Sequence, residues 1–110
     1  MRPKPVFEDL KDFKCEDLYL HSISAPAGHS IWNACHVIAQ MLIEKNYSYG
    51  NSALDPVRIF SKADAREQLY VRIDDKLSRL MKGSDYPGDN DIDDLIGYLV
   101  LLKIAKEKNV

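Results

Sequence analysis

Apolar residues recur along this chain at the three- and four-residue spacing of helices, and no segment alternates with the two-residue period of a strand. The first helical pattern follows Ser30, a residue suited to cap a helix, and is predicted to continue to about Lys45. Its repeating apolar positions are Ile31, Cys35, Ile38 and Leu42. The pattern therefore predicts one long helix in the first half of the chain.

A second helix is predicted from about residue 63 to Lys82, with Gly83 as its C-terminal stop. Its apolar face would consist of Leu69, Ile73, Leu77 and Leu80. A third helix opens in the acidic segment 89–94, which suits the positive end of a helix dipole, and continues through the apolar segment 95–102. We expect this apolar helix to need cover on several sides. The sequence thus predicts an all-α fold, a small bundle of three main helices completed by homo-oligomerisation as a dimer or tetramer.

The connecting segments have the composition of loops. Residues 1–29 are expected to form an irregular N-terminal extension or a short helix, and residues 30–110 the helical domain. Asn, Ser, Gly and Pro are frequent in residues 46–56, which indicates a surface loop. Residues 57–65 are expected to include a short helical turn that buries Ile59 and Phe60.

Composition and charge narrow the classes of function. With 110 residues and a net charge of −2, the chain is expected to be one domain with no strong signal for nucleic-acid binding. No apolar run suits a membrane span or a signal peptide, so we expect a cytoplasmic protein. Cys15 and Cys35 are expected to be free thiols. The three histidines lack the spacing of a zinc site.

Charged residues cluster on two helices that a short loop should make antiparallel neighbours. They are Arg72, Asp75, Lys76 and Arg79 on the second helix, and Asp91, Asp94 and Tyr98 on the third. If the carboxylates converge, they suit Mg²⁺, and the arginines and lysine suit phosphates. The alternative is a helical ion pair, Asp75 with Arg79, beside two aspartates that only stabilise a helix start.

The loop after the first helix adds candidate ligand contacts. Lys45 ends the predicted helix, Tyr49 offers an aromatic face for a base, and Asn51 offers an amide that can read polar edges. A plain connecting loop is the alternative. Trp32 is expected to lie in the core.

Three sequence blocks carry a resemblance to a known family. They are "EKNYSYGNSALDPVRIF", "RIDDKLSRL" and "DIDDLIGYLVLL". In this order they resemble the nucleotide-modification-associated domain family, small proteins found largely in bacteriophages and prophages. That family is similar to the all-α nucleoside triphosphate pyrophosphohydrolases of the MazG and dimeric dUTPase group. The resemblance covers about residues 36–105. It implies that the protein, if encoded by a phage, is located in the cytoplasm of the bacterial host.

The resemblance implies a Mg²⁺-dependent pyrophosphohydrolase with Asp75, Asp91 and Asp94 as catalytic, metal-binding residues. Substrate contacts would come from Lys45, Tyr49, Asn51, Arg72, Lys76, Arg79 and Tyr98. Asp91 and Asp94 match the second acidic block of those enzymes, whereas the first block carries Arg72, Lys76 and Arg79 where further acids would stand.

Three hypotheses follow from the sequence. The first is the nucleotide pyrophosphohydrolase, favoured by Asp91 and Asp94. The second is a non-catalytic protein that binds or sequesters a nucleotide, favoured by the basic residues in the first block. The third is a protein-interaction module whose charged faces meet water or a protein partner.

Overall fold

In the computed structural model, residues 24–83 and 90–110 are described, and all regular structure within them is helical. Helix α1 spans Gly28–Tyr49, α2 spans Ala65–Lys82 and α3 spans Asp91–Lys108. The predicted all-α class and the three main helices are confirmed. Contacts divide the chain into two units, Met1–Val37 and Ile38–Val110. Of the predicted N-terminal extension, residues 1–23 lie outside the described residues, and α1 begins at Gly28, before the predicted boundary after residue 29.

Helix α1 is longer at both ends than the sequence predicted. It begins two residues before Ser30 and continues four residues past Lys45. It ends where Gly50 and Asn51 both adopt left-handed backbone, with φ of 63° and 65°. The Asn51 N–H donates to the Asn46 carbonyl at 3.1 Å, which is the closure of a Schellman motif. The helix thus stops at the glycine and includes Tyr47 and Tyr49, which the composition of residues 46–56 predicts to lie in a loop.

Helices α2 and α3 have side-chain caps at their first turns. The Asp64 carboxylate accepts from the Glu67 N–H at 2.9 Å, and the Asn90 side chain accepts from the Asp93 N–H at 3.1 Å. At the end of α2, Gly83 is left-handed with φ of 65°. The predicted stop at Gly83 and the acidic start of the last helix are both confirmed.

Antiparallel packing of α2 on α3 brings the end of one beside the start of the other. Lys76, late in α2, contacts Asp91 at the start of α3. At the other end, the Arg66 Nε donates to the Val110 carbonyl at 2.7 Å. Leu69 is the largest fully buried side chain of the described residues, with 1% exposed, and Ala105 is fully buried. The predicted antiparallel arrangement is therefore present, with an apolar core near the start of α2.

The predicted apolar face of α2 is only half correct. Leu69 is buried and Ile73 half-buried, but Leu77 and Leu80 are exposed. In the second half of the helix, Lys76 is the buried side chain instead. Lys76 faces Asp91 and Asp94 of α3, so a cationic side chain at this position is stabilised where an apolar one would not be.

The segment before α2 also differs from its prediction. Residues 56–64 contain no helical turn, Ile59 is exposed, and Phe60 is 98% exposed. The Ser61 hydroxyl accepts from the Ala63 N–H at 3.1 Å, and this side-chain bond replaces a helical backbone bond. The predicted burial of Ile59 and Phe60 is wrong.

The structure also bears on the predictions for Trp32, the cysteines and membrane spans. Trp32 is half-buried and Cys35 is an exposed free thiol, whereas Cys15 lies outside the described residues. Among residues 24–83 and 90–110, no helix is both long and apolar enough to span a membrane.

Candidate functional site

A pocket of about 210 Å³ opens between the second half of α1, the turn that follows it, and the facing sides of α2 and α3. Its lining mixes apolar, amide, aromatic and charged groups. The lining residues are Met41, Leu42, Lys45, Asn46, Tyr49, Ser52, Ala53, Arg72, Asp94, Gly97, Tyr98 and Leu101. Its volume lies below the ~300–1,000 Å³ of sites that enclose a drug-sized ligand, so it suits one ring of a ligand rather than a whole nucleotide.

Gly97 lets α3 come close to α1 at the pocket wall. A Cβ atom at this position would lie 2.9 Å from Leu42 Cδ2 and 3.4 Å from Met41 Cε. Any larger residue would have to displace these side chains or extend into the pocket. A glycine inside an otherwise apolar helix thus preserves space at the site.

The end of α1 positions the opposite edge of the pocket. The Asn46 Nδ2 donates to Asn51 Oδ1 at 2.8 Å, which joins the last turn of the helix to the residue after its stop. The chain then turns so that Ser52 and Ala53 line the pocket. Asn51, a predicted substrate contact, holds this turn and is not part of the lining.

Two cationic side chains border the pocket from different helices. Lys45 on α1 is 48% exposed, and its Nζ lies 3.4 Å from Asp94 Oδ1. Arg72 on α2 is exposed, and its Cζ lies 5.9 Å from the centroid of the Tyr98 ring. This is within the range of a cation–π interaction. Both cations therefore lie beside an aromatic pocket and remain open to solvent.

A buried ion cluster, formed by Lys76, Asp91 and Asp94, lies beside the pocket. Lys76 Nζ is 3.2 Å from Asp91 Oδ1 and 3.1 Å from Asp94 Oδ2. The exposed fractions of the three side chains are 10%, 8% and 18%. The single ammonium thus bridges two carboxylates that α3 presents one helical turn apart.

The charge state of Lys76 reflects two opposed effects. Burial by itself lowers the pKa of an ammonium, because it disfavours the charged form. Hydrogen bonds to Asp94 and Asp91, together with the negative charge of Asp94, outweigh this effect, so the pKa of Lys76 lies above its ordinary value of 10.5. Lys76 is therefore protonated at neutral pH.

The third predicted metal ligand, Asp75, has a different partner. Its Oδ2 lies 3.4 Å from Arg79 Nε one turn along α2, and its side chain is 58% exposed. Arg79 Nη1 also lies 3.9 Å from Asp91 Oδ1. Asp75 therefore makes the helical ion pair that was the alternative to metal binding.

The donor set does not fit a Mg²⁺ ion held by Asp75, Asp91 and Asp94. Between Asp91 and Asp94, where an ion would bridge the carboxylates, stands the Lys76 ammonium. Among the described residues, no group of three or more His, Cys, Asp or Glu side chains is arranged to hold a metal. The geometry thus pairs each carboxylate with a protein cation.

The structure separates the ten predicted site residues into two groups. Lys45, Tyr49, Arg72, Asp94 and Tyr98 meet at the pocket. The other five lie outside the lining: Asn51, Asp75, Lys76, Arg79 and Asp91. Residues from both acidic and basic predicted sets, and from the predicted loop, therefore occur in the lining.

Sequence reasoning missed seven lining residues. They are Met41, Leu42, Asn46, Ser52, Ala53, Gly97 and Leu101. Gly97 carried a readable signal, an isolated glycine in an apolar helix, and Asn46 stands in the tyrosine-rich block already singled out. The apolar residues carried none, since helical core positions and pocket walls have the same pattern.

Comparison with known proteins adds no assignment: no family model, curated protein or solved structure matches this chain. The resemblance to the nucleotide-modification-associated domain family therefore stays a prediction that rests on three sequence blocks.

Proposed function

We propose that this protein binds a phosphorylated nucleoside without a catalytic metal site. The observation that carries the proposal is the convergence of two exposed cations, Lys45 and Arg72, on a pocket whose edge bears Tyr49 and Tyr98. Phosphate oxygens suit the cations, and the flat faces of the tyrosines suit a base. The three-block resemblance adds support for a nucleotide over other phosphorylated molecules.

The charges around the pocket are compatible with an anion. Asp94 lines the pocket, but its two oxygens already contact the ammonium groups of Lys45 and Lys76. Its negative charge is therefore largely compensated within the protein. The Lys45 contact is long and half-exposed, so it contributes little stability and leaves the lysine able to turn to a phosphate. Arg72 can offer two parallel N–H groups to the same anion.

The pocket's size divides the ligand into two parts. Its volume accommodates one ring-bearing part, and the amide of Asn46 and the hydroxyl of Ser52 supply polar contacts for its edge. The phosphates would lie outside, between Lys45 and Arg72. In this arrangement the base is selected by shape and the phosphates by charge.

A thermal-shift screen tests the proposal. Nucleoside mono-, di- and triphosphates and cyclic nucleotides would each be added in Mg²⁺ and in EDTA. A ligand that binds only the folded state raises the melting temperature by mass action. We expect a shift in EDTA with at least one nucleotide; no shift with any of them contradicts the proposal and favours the interaction module.

Two arginines, one in the pocket and one outside it, supply matched variants for that screen. Arg72→Gln removes about 1.5–3 kcal/mol if the guanidinium binds the phosphate, a loss of roughly ten- to a hundredfold in affinity. Arg58→Gln removes the same charge from an exposed position outside the pocket and should bind as the wild type does. Equal losses in both variants would indicate a general effect of net charge.

Hydrolysis of the nucleotide is the second candidate function. The observation that favours it is that Asp94, a residue of the better-matching acidic block, lines the same pocket as both cations. Chromatography of the ligands from the screen separates the two candidates. Product that forms with Mg²⁺ and is absent with Asp94→Asn would support hydrolysis.

We also propose that the chain self-associates through α3. Ile92, Ile96 and Leu99 are all exposed and lie on one face of this helix, at i, i+4 and i+7. Exposed apolar faces of this kind commonly mark contacts between subunits. Light scattering after size-exclusion chromatography should give a dimer or tetramer, and Ile96→Glu should give a monomer.

A further inference from the structure

Lys76 lies where a counter-ion to two carboxylates would lie, and it does not line the pocket. Its ammonium lies within hydrogen-bond distance of one oxygen from each of Asp91 and Asp94. A divalent cation bridging the same carboxylates would need to be about 2.0–2.6 Å from their oxygens, in the space that the ammonium fills. The ammonium and a divalent ion therefore exclude each other from this position.

Neighbouring charges make the exclusion stronger. Arg79 approaches Asp91 at 3.9 Å, and Lys45 approaches Asp94 at 3.4 Å. A divalent ion placed between the carboxylates would meet three protein cations at short range, in surroundings that screen charge less than water does. This repulsion opposes the attraction of the two carboxylates for the ion.

We propose that Lys76 is a built-in counter-ion that replaces a divalent metal between Asp91 and Asp94. The protein then holds a charge-compensated carboxylate pair beside its pocket, with Asp94 in the lining, and needs no metal there. It follows that the phosphorylated ligand is bound equally well without divalent ions, and this second claim rests on the proposed function. The counter-ion role of Lys76 concerns only the protein and does not depend on any ligand.

Manganese provides the test, because electron paramagnetic resonance of free Mn²⁺ measures metal binding without ligand or activity. We expect no saturable binding by the wild-type chain. Lys76→Gln removes the ammonium and keeps a hydrogen-bonding side chain, so it should gain one saturable Mn²⁺ site, with an affinity at least about tenfold above the detection limit that bounds the wild type. Adding Asp94→Asn to that variant should abolish the gained site.

Lys103→Gln is the matched control. Lys103 is an exposed lysine on α3 that pairs with Glu107 and lies outside the pocket. The variant removes the same charge and should not gain a Mn²⁺ site. A gain equal to that of Lys76→Gln would overturn the proposal, because it would reflect net charge alone.

Two further results would overturn the proposal. One is saturable Mn²⁺ binding by the wild type that Asp94→Asn removes, a measurement that needs no Lys76 variant to fold. The other is a folded Lys76→Gln chain, verified by circular dichroism, that gains no site.

The proposed function fails separately from this inference. Absence of any nucleotide shift, together with the expected Mn²⁺ results, would reject nucleotide binding and retain the counter-ion role. Nucleotide binding that occurs only with Mg²⁺ would reject the metal-free part while retaining the ligand.

Discussion

Lys76 and Lys45 both contact Asp94, but they belong to different regions of the molecule. Lys76 is nearly buried and bridges two carboxylates, whereas Lys45 is half-exposed and makes one long contact at the pocket edge. Removing a partner from a buried pair leaves an uncompensated charge, but an exposed pair contributes little. Solvent exposure, rather than residue type, therefore separates a cation that holds the fold from one available to a ligand.

The largest expected effect follows from removing the buried cation. Lys76→Met should lower the free energy of unfolding by about 3–5 kcal/mol, because Asp91 and Asp94 would stay largely buried without the ammonium that bridges them and keep only longer contacts to Arg79 and Lys45. Urea denaturation followed by circular dichroism measures the change. Lys103→Met, which removes an exposed lysine from an ion pair with Glu107, should cost at most about 1 kcal/mol. Equal costs would show that burial does not distinguish the two lysines.

Filling the pocket should remove ligand binding at the pocket edge and leave the buried cluster around Lys76 intact. Gly97→Leu places a side chain against Leu42 and Met41, and such overpacking costs about 1–3 kcal/mol. The same side chain would occupy the pocket and remove the nucleotide-dependent rise in melting temperature. The Arg58→Gln variant again serves as the control for binding. A Gly97→Leu chain that folds and still binds would show that the ligand lies elsewhere.

Alkaline titration sharpens the comparison by discharging Lys76. Its pKa is raised on folding, so its stabilising contribution is fully present below about pH 10.5, the unfolded value, and is lost as pH rises through the higher folded value. The stability difference between the wild type and Lys76→Met should therefore stay constant to about pH 10.5 and narrow above it. Urea midpoints measured from pH 7 upward provide the data. A difference that narrows at neutral pH would contradict the assigned protonation.

The smallest effect is expected at Asp75. Its pair with Arg79 is exposed and spans one helical turn, so Asp75→Asn should change stability by only about 0.3–0.5 kcal/mol. Nucleotide and Mn²⁺ binding should both be unchanged. A loss of nucleotide binding in this variant would restore Asp75 to the site that the sequence assigned to it.

The sequence predicted the helices well because their signals are local. Apolar spacing, the stop at Gly83 and the acidic first turn identified α2 and α3, whereas Ser30, predicted to cap α1, lies inside that helix. The predicted end of α1 at Lys45 was too early, because the Asn- and Ser-rich residues 46–49 are typical of a loop. The left-handed residues Gly50 and Asn51 mark the actual end of the helix.

Helical spacing could not assign a role to each predicted site residue, because contacts across helices depend on burial. Helical spacing placed Arg72 and Lys76 on the same helix, and both were expected to face phosphates. Only the structure distinguishes them: Arg72 reaches the pocket, while Lys76 turns to Asp91 and Asp94. Periodicity gives the face of a helix, but the partner opposite that face sets the role of each charge.

The left-handed pair at the end of α1 has a consequence for engineering the proposed nucleotide pocket. Gly50 and Asn51 set the direction of the chain, and a β-branched residue at either position would be strained. Ser52 and Ala53 follow with side chains at the pocket edge and no such backbone demand. A library that randomises these two positions and keeps the preceding pair constant would vary selectivity while the scaffold stays the same.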